Sequence, residues 1–270
     1  MKSQNRISSS NFKEMFLEGI SSSEDKLFMS KMVDQIQLSA RYHEKRFSGF
    51  LDPRQQNLLY GRLTNLSDIA FDFWGGYDEA ERRMVSFFPD YMESDTSQFP
   101  IAALQITGQG IEKLSHRDFL GAILGLGIKR EKIGDIIVNH PICYCFCSDD
   151  IKEYILTSFA KVGSISISVS EKPVADICLP EKKYKIINST VASLRLDAVI
   201  SSGLGESRSK VLSYIQSEKV NVNWETVKSP SFNVKQGDVI SVRGHGRMVL
   251  EQIGGVTRKG RISIMIKRYI

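Results

Sequence analysis

Between Ile101 and Ser170 the hydrophobic pattern switches repeatedly between a strand period and a helix period, and this restricts the fold more than any other feature of the chain. "IAALQITG" alternates and reads as a strand, and "HRDFLGAILGLG" places its apolar residues at helical spacing. "IGDIIV" and "ICYCFC" read as two further strands, "DDIKEYILTSFAKV" as a helix and "GSISISVS" as a last strand. Strands line a face every second residue and helices every third or fourth, so neither kind of segment can stand in for the other. The expected order is β-α-β-β-α-β, with "RRMVSFF" as an extra strand ahead of it.

That order is the split βαβ arrangement of ferredoxin-like and RNA-recognition-motif folds, which host many functions. The glycine-aromatic signature expected on RNA-facing central strands is missing here. Tyr144 and Phe146 share one face of their strand. They could stack bases, but alternating aromatics more often mark a face packed on a neighbouring segment.

The 270 residues exceed one average domain. Residues 1–75 read as helical. Ser23 is placed to cap a helix carrying Leu27, Phe28, Met32, Val33, Ile36 and Leu38, and Pro53 to open a second with Leu58, Leu59 and Leu63. Gly75-Gly76 suggests a boundary. Residues 76–172 then hold the βαββαβ domain, 173–189 a proline- and charge-containing linker, and 190–270 a small module of two short helices followed by strands. The fold class expected is α+β, and neither an internal repeat nor a low-complexity tract is apparent.

Charge is unevenly distributed. Thr190–Ile270 holds 13 Lys and Arg against 6 Asp and Glu, while the other 189 residues hold 23 against 25. A basic module beside a near-neutral body points to a polyanion, and to nucleic acid before membrane because no basic amphipathic helix accompanies it. A merely solvated basic surface is the plainer alternative. The longest apolar runs fall far short of the ~20 residues of a membrane span, and "MKSQNRISSSNFKEMF" lacks a secretory apolar core, so a cytoplasmic location is expected. Cys143, Cys145, Cys147 and Cys178 show no disulfide-framework spacing.

Catalytic signals fail on spacing. "HRD" at His116–Asp118 resembles a kinase catalytic loop, but the metal-binding Asn would fall on Ile123. "GQGIEK" and "GLGIKR" lack the third glycine of a dinucleotide loop and the Gly-Lys-Ser/Thr of a P-loop. "CYCFC" puts three thiols on one side of a strand, a spacing closer to buried structural thiols than to zinc. His43, His116, His140 and His245 are scattered. The expectation is a protein that is not an enzyme and needs neither cofactor nor metal.

Basic groups of the last module behave differently. In "LRLDAVISSGLGESRSK", Arg195 and Arg208 begin consecutive helices, so side-by-side helices would bring both guanidiniums and Lys210 to one edge. Forked donors there match phosphate oxygens, and two positive helix ends would add to the site. The alternative is an internal ion pair, Arg208 with Asp197 or Arg195 with Glu206. Arg243 and Arg247 in "VRGHGR", with Arg258, Lys259 and Arg261 in "TRKGR", occupy glycine-containing turns suited to backbone contacts.

"SLRLDAVISSGLGESRSKVLSYI", "VNVNW" and "GDVISVRG" resemble the RNA-binding domain first described in ribosomal protein S-four, with its Arg-Leu-Asp start, Ser-Arg opening and later Gly-Asp turn in order. Upstream, "FLDPRQQ", "GGYDEAERRMVSFFPDY" and "HRDFLGAILGLGIKREKIGDI" resemble the YlmH-type family of bacterial RNA-binding proteins, and the resemblance spans nearly the whole chain. It departs from the usual module at Lys219, where glycine is common, and at Trp224, where "Val-Asn-Gly" is usual.

The resemblance implies a non-enzymatic factor that binds structured rRNA, close to tRNA, on the large ribosomal subunit during the handling of stalled nascent chains, with Arg195 and Arg208 as RNA contacts. Genes of the family often lie beside cell-division genes, and a related branch in photosynthetic organisms is linked to photosystem II. Two other classes stay open: an RNA-modifying enzyme with an appended binding module, for which residues 76–170 show no catalytic motif, and a protein-interaction scaffold. A monomer is expected.

Overall fold

The computed structural model describes residues 9–64, 66, 68–177, 179 and 183–269, so Cys178 lies outside the described residues. The chain divides into two units, Met1–Leu179 and Pro180–Ile270.

In the first unit, α1 (Ser9–Leu17) and α2 (Ser23–Tyr42) are followed by the short strand β1 (Arg46–Phe47), α3 (Pro53–Leu63), β2 (Ile69–Trp74) and β3 (Met84–Pro89). Ser22, one residue before the expected cap, accepts from the Asp25 amide at the start of α2. Met29, Met32, Val33 and Ile36 form the buried stripe, whereas Leu27, expected on it, is exposed. At α3, Asp52 and Gln55 form a reciprocal capping box ahead of Pro53. A forked pair of hydrogen bonds from Arg54 to Asp25, at 2.7 and 2.6 Å, ties the starts of the two helices together. The strands form an antiparallel sheet in the order β1-β3-β2.

This sheet corrects two sequence readings. Gly75-Gly76 begins the connection between paired strands β2 and β3, so the expected boundary at residue 75 falls inside one sheet. "RRMVSFF" likewise pairs with β1 and β2 and is no strand of the middle sheet. Local sequence shows a turn; pairing partners decide whether a turn separates domains.

The middle segment continues with β4 (Ile101–Thr107), α4 (His116–Gly125), β5 (Ile133–Asn139), β6 (Ile142–Ser148), α5 (Lys152–Ser158), a small hairpin of β7 (Lys161–Val162) and β8 (Ile165–Ser166), and β9 (Ser168–Lys172). Its sheet order is β5-β6-β4-β9, all antiparallel, with the first and third long strands central as the βαββαβ pattern requires.

Alternation along β6 then divides two cores. Cys143, Cys145 and Cys147 pack with Phe119 and Ile123 of α4 and Ile155 of α5. Phe146, on the opposite face, joins Phe50, Met84, Phe99 and Ala103, with Trp74 and Tyr77 against them. Asp135 locks this second layer by accepting from the Tyr77 hydroxyl (2.7 Å), the Glu81 amide (2.7 Å) and the Arg82 amide (3.0 Å). Gly76, at φ +98°, lies so near Phe146 that an added Cβ would stand 2.6 Å from the ring. The sheet face that carries bases in RNA-recognition motifs is therefore occupied by residues 47–84 of the same unit.

In the second unit, β10 (Tyr184–Val191), α6 (Leu196–Leu204), α7 (Arg208–Gln216), β11 (Val220–Val222), β12 (Glu225–Thr226), β13 (Val239–Val242), β14 (Gly246–Val256) and β15 (Ile262–Tyr269) make a six-stranded antiparallel sheet, ordered β10-β15-β14-β13-β11-β12. Leu196, Val199, Ile200, Val211 and Ile215 cover the face presenting Ile240, Met248, Leu250, Ile264 and Ile266. Residues 184–189, read as linker, are part of β10 and pair through Tyr184↔Tyr269 to Val191↔Ile262. As an edge strand with largely exposed side chains, it shows little alternation in sequence.

Candidate nucleic-acid interface

Arg195 is the N-cap of α6, with extended backbone and no capping hydrogen bond from its side chain. Asp197 follows in the first turn and Arg208 opens α7, whose N-cap Ser207 accepts from the Lys210 amide at 3.4 Å. A short connection through Gly205, which takes the left-handed conformation that glycine adopts cheaply, leads into α7, whose opening Arg208 reaches Asp197 in the first turn of α6.

There Asp197 receives both arginines. Arg195 donates from Nε (3.1 Å) and Nη2 (3.4 Å), and Arg208 from Nη2. The Asp197 side chain is 4% exposed, whereas those of Arg195 and Arg208 are 42% and 55% exposed. Burial pushes the carboxyl upward, but the hydrogen bonds and charges of the two guanidiniums outweigh it, leaving its pKa below the ordinary aspartate value. Two cations thus share one buried anion, and each keeps donors facing solvent. Five N–H donors per guanidinium exceed what Asp197 consumes.

The Arg208–Asp197 pair considered from sequence forms, and Arg195 joins it; Glu206 instead accepts from Lys210 at 2.9 Å. That contact raises the Lys210 pKa and lowers that of Glu206. His245 lies 3.9 Å from Glu206 and stacks on Tyr214 at 4.6 Å between centroids.

The helix ends differ from the expectation of two open positive termini. At α6 the Leu196 and Asp197 amides already donate to Phe232 O (2.8 Å) and Pro230 O (3.2 Å), and Asp197 adds negative charge. α7 carries no acidic residue in its first turn, so the dipole argument keeps its force there alone.

The remaining basic residues separate. Arg243 and Arg247 flank the β13–β14 turn with His245, while Arg258, Lys259 and Arg261 belong to the β14–β15 turn at the other end of the hairpin. β15 has eight residues, so these turns stand about 23 Å apart at ~3.3 Å per residue. Arg258, Lys259 and Arg243 are exposed, and Arg261 donates from Nε to Thr190 Oγ1 at 2.9 Å. The eight expected contacts therefore do not make one patch.

Sequence reasoning missed three arrangements. The sharing of Asp197 by both arginines depends on how two helices pack. The packed face of β6 was the favoured expectation, but the Tyr77–Asp135 hydrogen bond that closes it joins residues 58 positions apart. The third is the Arg247 guanidinium over the Trp224 ring, 5.6 Å from its centroid, for which Trp224 at a glycine position was the available signal. Among the described residues no group of three His, Cys, Asp or Glu side chains could hold a metal ion, and no described helix is long and apolar enough to cross a membrane.

Comparison with known proteins agrees with this architecture. Residues 24–92 match the family model described as YlmH, N-terminal, residues 95–176 that of the putative RNA-binding domain in YlmH, and residues 194–240 the S4 domain. The "Ribosome-associated protein quality control protein P2" of Bacillus subtilis (strain 168) is 32% identical over 246 residues, covering 91% of this chain and 95% of that protein. Among solved structures, the "Cell division protein ylmH from Streptococcus pneumoniae" is 25% identical with a TM-score of 0.49, covering 57% of this chain and 94% of that one. With RNA-binding domain models in its middle and C-terminal parts and a relative this similar over nearly its full length, the chain belongs to the YlmH family.

Proposed function

We propose that the chain is a non-catalytic factor that binds structured ribosomal RNA on the large subunit, close to tRNA, and acts there on stalled nascent chains in the cytoplasm. The observation that carries the RNA contact is the buried Asp197 carboxylate holding two half-exposed guanidiniums at one edge of the C-terminal unit. Such an edge presents fixed forked donors to phosphate oxygens and reads backbone shape more than base identity. The ribosomal setting is supported by the name of the Bacillus subtilis relative.

Sucrose-gradient sedimentation of lysate at low and high salt tests it. Native protein is expected with the large subunit at low salt and at the top of the gradient at high salt. Removing both arginines alone would strand the buried Asp197 charge and destabilise the unit. The informative variant is therefore Arg195→Ala/Arg208→Ala/Asp197→Asn, expected to fold and to leave the subunit. Native protein remaining at the top in low salt would overturn the ribosomal assignment.

A further inference from the structure

The face of the six-stranded sheet opposite α6 and α7 carries aromatic and basic side chains together. Met248 is buried beneath the helices, so its neighbour Arg247 projects to the other face, in one row with Ser241 and Asn221. Arg247 lies over the Trp224 ring at 5.6 Å. Farther across that face, the Lys267 ammonium lies 4.2 Å from the centroid of Tyr184, which is 47% exposed.

Trp224 occupies a costly position. Asn223 (φ 49°) and Trp224 (φ 66°) are the two central residues of the turn joining β11 to β12, both left-handed. Asn tolerates that conformation and glycine adopts it freely, but for a bulky side chain it is a strained outlier. The turn is nevertheless held firmly. Asn223 Nδ2 donates to Asp238 (2.9 Å), its Oδ1 accepts from the Val239 amide (2.9 Å), and its own amide donates to Val239 O (2.8 Å). Trp224 packs into no part of the buried core of its unit. A strained, well-fixed residue without a core role suggests a contact with something else.

We propose that Trp224, with Arg247 beside it, is a stacking platform for an unpaired base of the RNA bound by this unit, and that Tyr184 and Lys267 continue the same surface. Single-stranded RNA is recognised by aromatic faces that take its bases and cations that take its phosphates, and this face supplies both. The rows named carry Arg247 and Lys267, while the nearby acids are Glu225, next to Trp224, and Asp238, already accepting from Asn223; two cations beside exposed aromatic rings favour a polyanion with bases over an acidic or neutral peptide. The inference rests on the RNA-binding function proposed above and adds the class of nucleotide recognised.

The test uses the full chain and two RNA probes, a flush duplex of about twelve base pairs and the same duplex bearing three unpaired adenosines. Native protein is expected to bind the second more tightly, and Trp224→Gly to lose that preference, a drop of about 5- to 150-fold for one stacked base. Glycine suits the turn, so the variant should melt no lower than native protein, and Trp224→Phe should recover much of the preference. Equal binding of the probes by native protein, or a preference retained in Trp224→Gly, overturns the inference while leaving RNA binding intact. Binding of neither probe overturns both.

Discussion

The carboxylate of Asp197 accepts from Arg208 while holding Arg195 at 3.1 Å, so one buried acid in the first turn of α6 sets the direction of the basic residue that opens α7. This relationship joins the stability of the C-terminal unit to its chemistry, and it can be tested on both counts.

Its pH dependence has a definite sign. The Asp197 pKa is lowered in the folded protein, so its contribution is present above the unfolded aspartate value near 3.9 and is lost as pH falls through the folded value. Urea unfolding of the C-terminal unit between about pH 6 and pH 2 should show stability declining below about pH 4. Asp197→Asn should cost about 1–3 kcal/mol at neutral pH and flatten that acid limb. An unchanged acid limb in the variant would rule out the role given to Asp197.

Salt dependence separates phosphate contacts from general basicity. Removing Arg195 and Arg208 together with Asp197 should reduce the slope of log K against log salt for duplex RNA by about 2, close to one phosphate per arginine. Replacing Arg258 and Lys259, in the β14–β15 turn, should leave the effect of the first change intact if the two sets of contacts act independently. Fluorescence anisotropy over a salt series measures both.

Thiol reactivity reports on the middle sheet. Cys143, Cys145 and Cys147 are fully buried, and burial pushes the Cys143 thiol up to about 12 and the other two higher still. In a Cys178→Ser background these thiols should be inert to a disulfide reagent at pH 8 and react fully in denaturant. Rapid labelling of the folded protein would contradict the packing against α4 and α5.

The covered face of β6 predicts where the first unit is intolerant. Gly76→Ala adds a Cβ in left-handed backbone 2.6 Å from the Phe146 ring and should cost about 2–4 kcal/mol. Tyr77→Phe removes one of three donors to Asp135 and should cost about 1 kcal/mol, whereas Asp135→Ala strands the Glu81 and Arg82 amides and should cost about 2–3 kcal/mol. Thermal melts should place Tyr77→Phe as the least damaging of the three, with Gly76→Ala and Asp135→Ala both well below it in melting temperature.

Local sequence determined where most of the longer elements lie and of what kind they are, but not β1 and β2, which fell in a region read as helical, nor most of β10, read as linker. Its periodicities located β4, α4, β5, β6 and α5, Pro53 marked α3, and the Arg-Leu-Asp and Ser-Arg starts marked α6 and α7, because period, capping and turn chemistry are local. Tertiary structure alone decided partnership. Whether Gly75-Gly76 divided two domains depended on β3 pairing with β2, and whether Tyr184–Ser189 was a linker depended on β15 standing beside it. That the Phe146 face of β6 is covered, and that Arg208 shares Asp197 with Arg195, were settled by residues tens of positions away or on another helix. Long-range pairing leaves little trace in a short window, since edge strands and shared carboxylates are defined by what packs beside them.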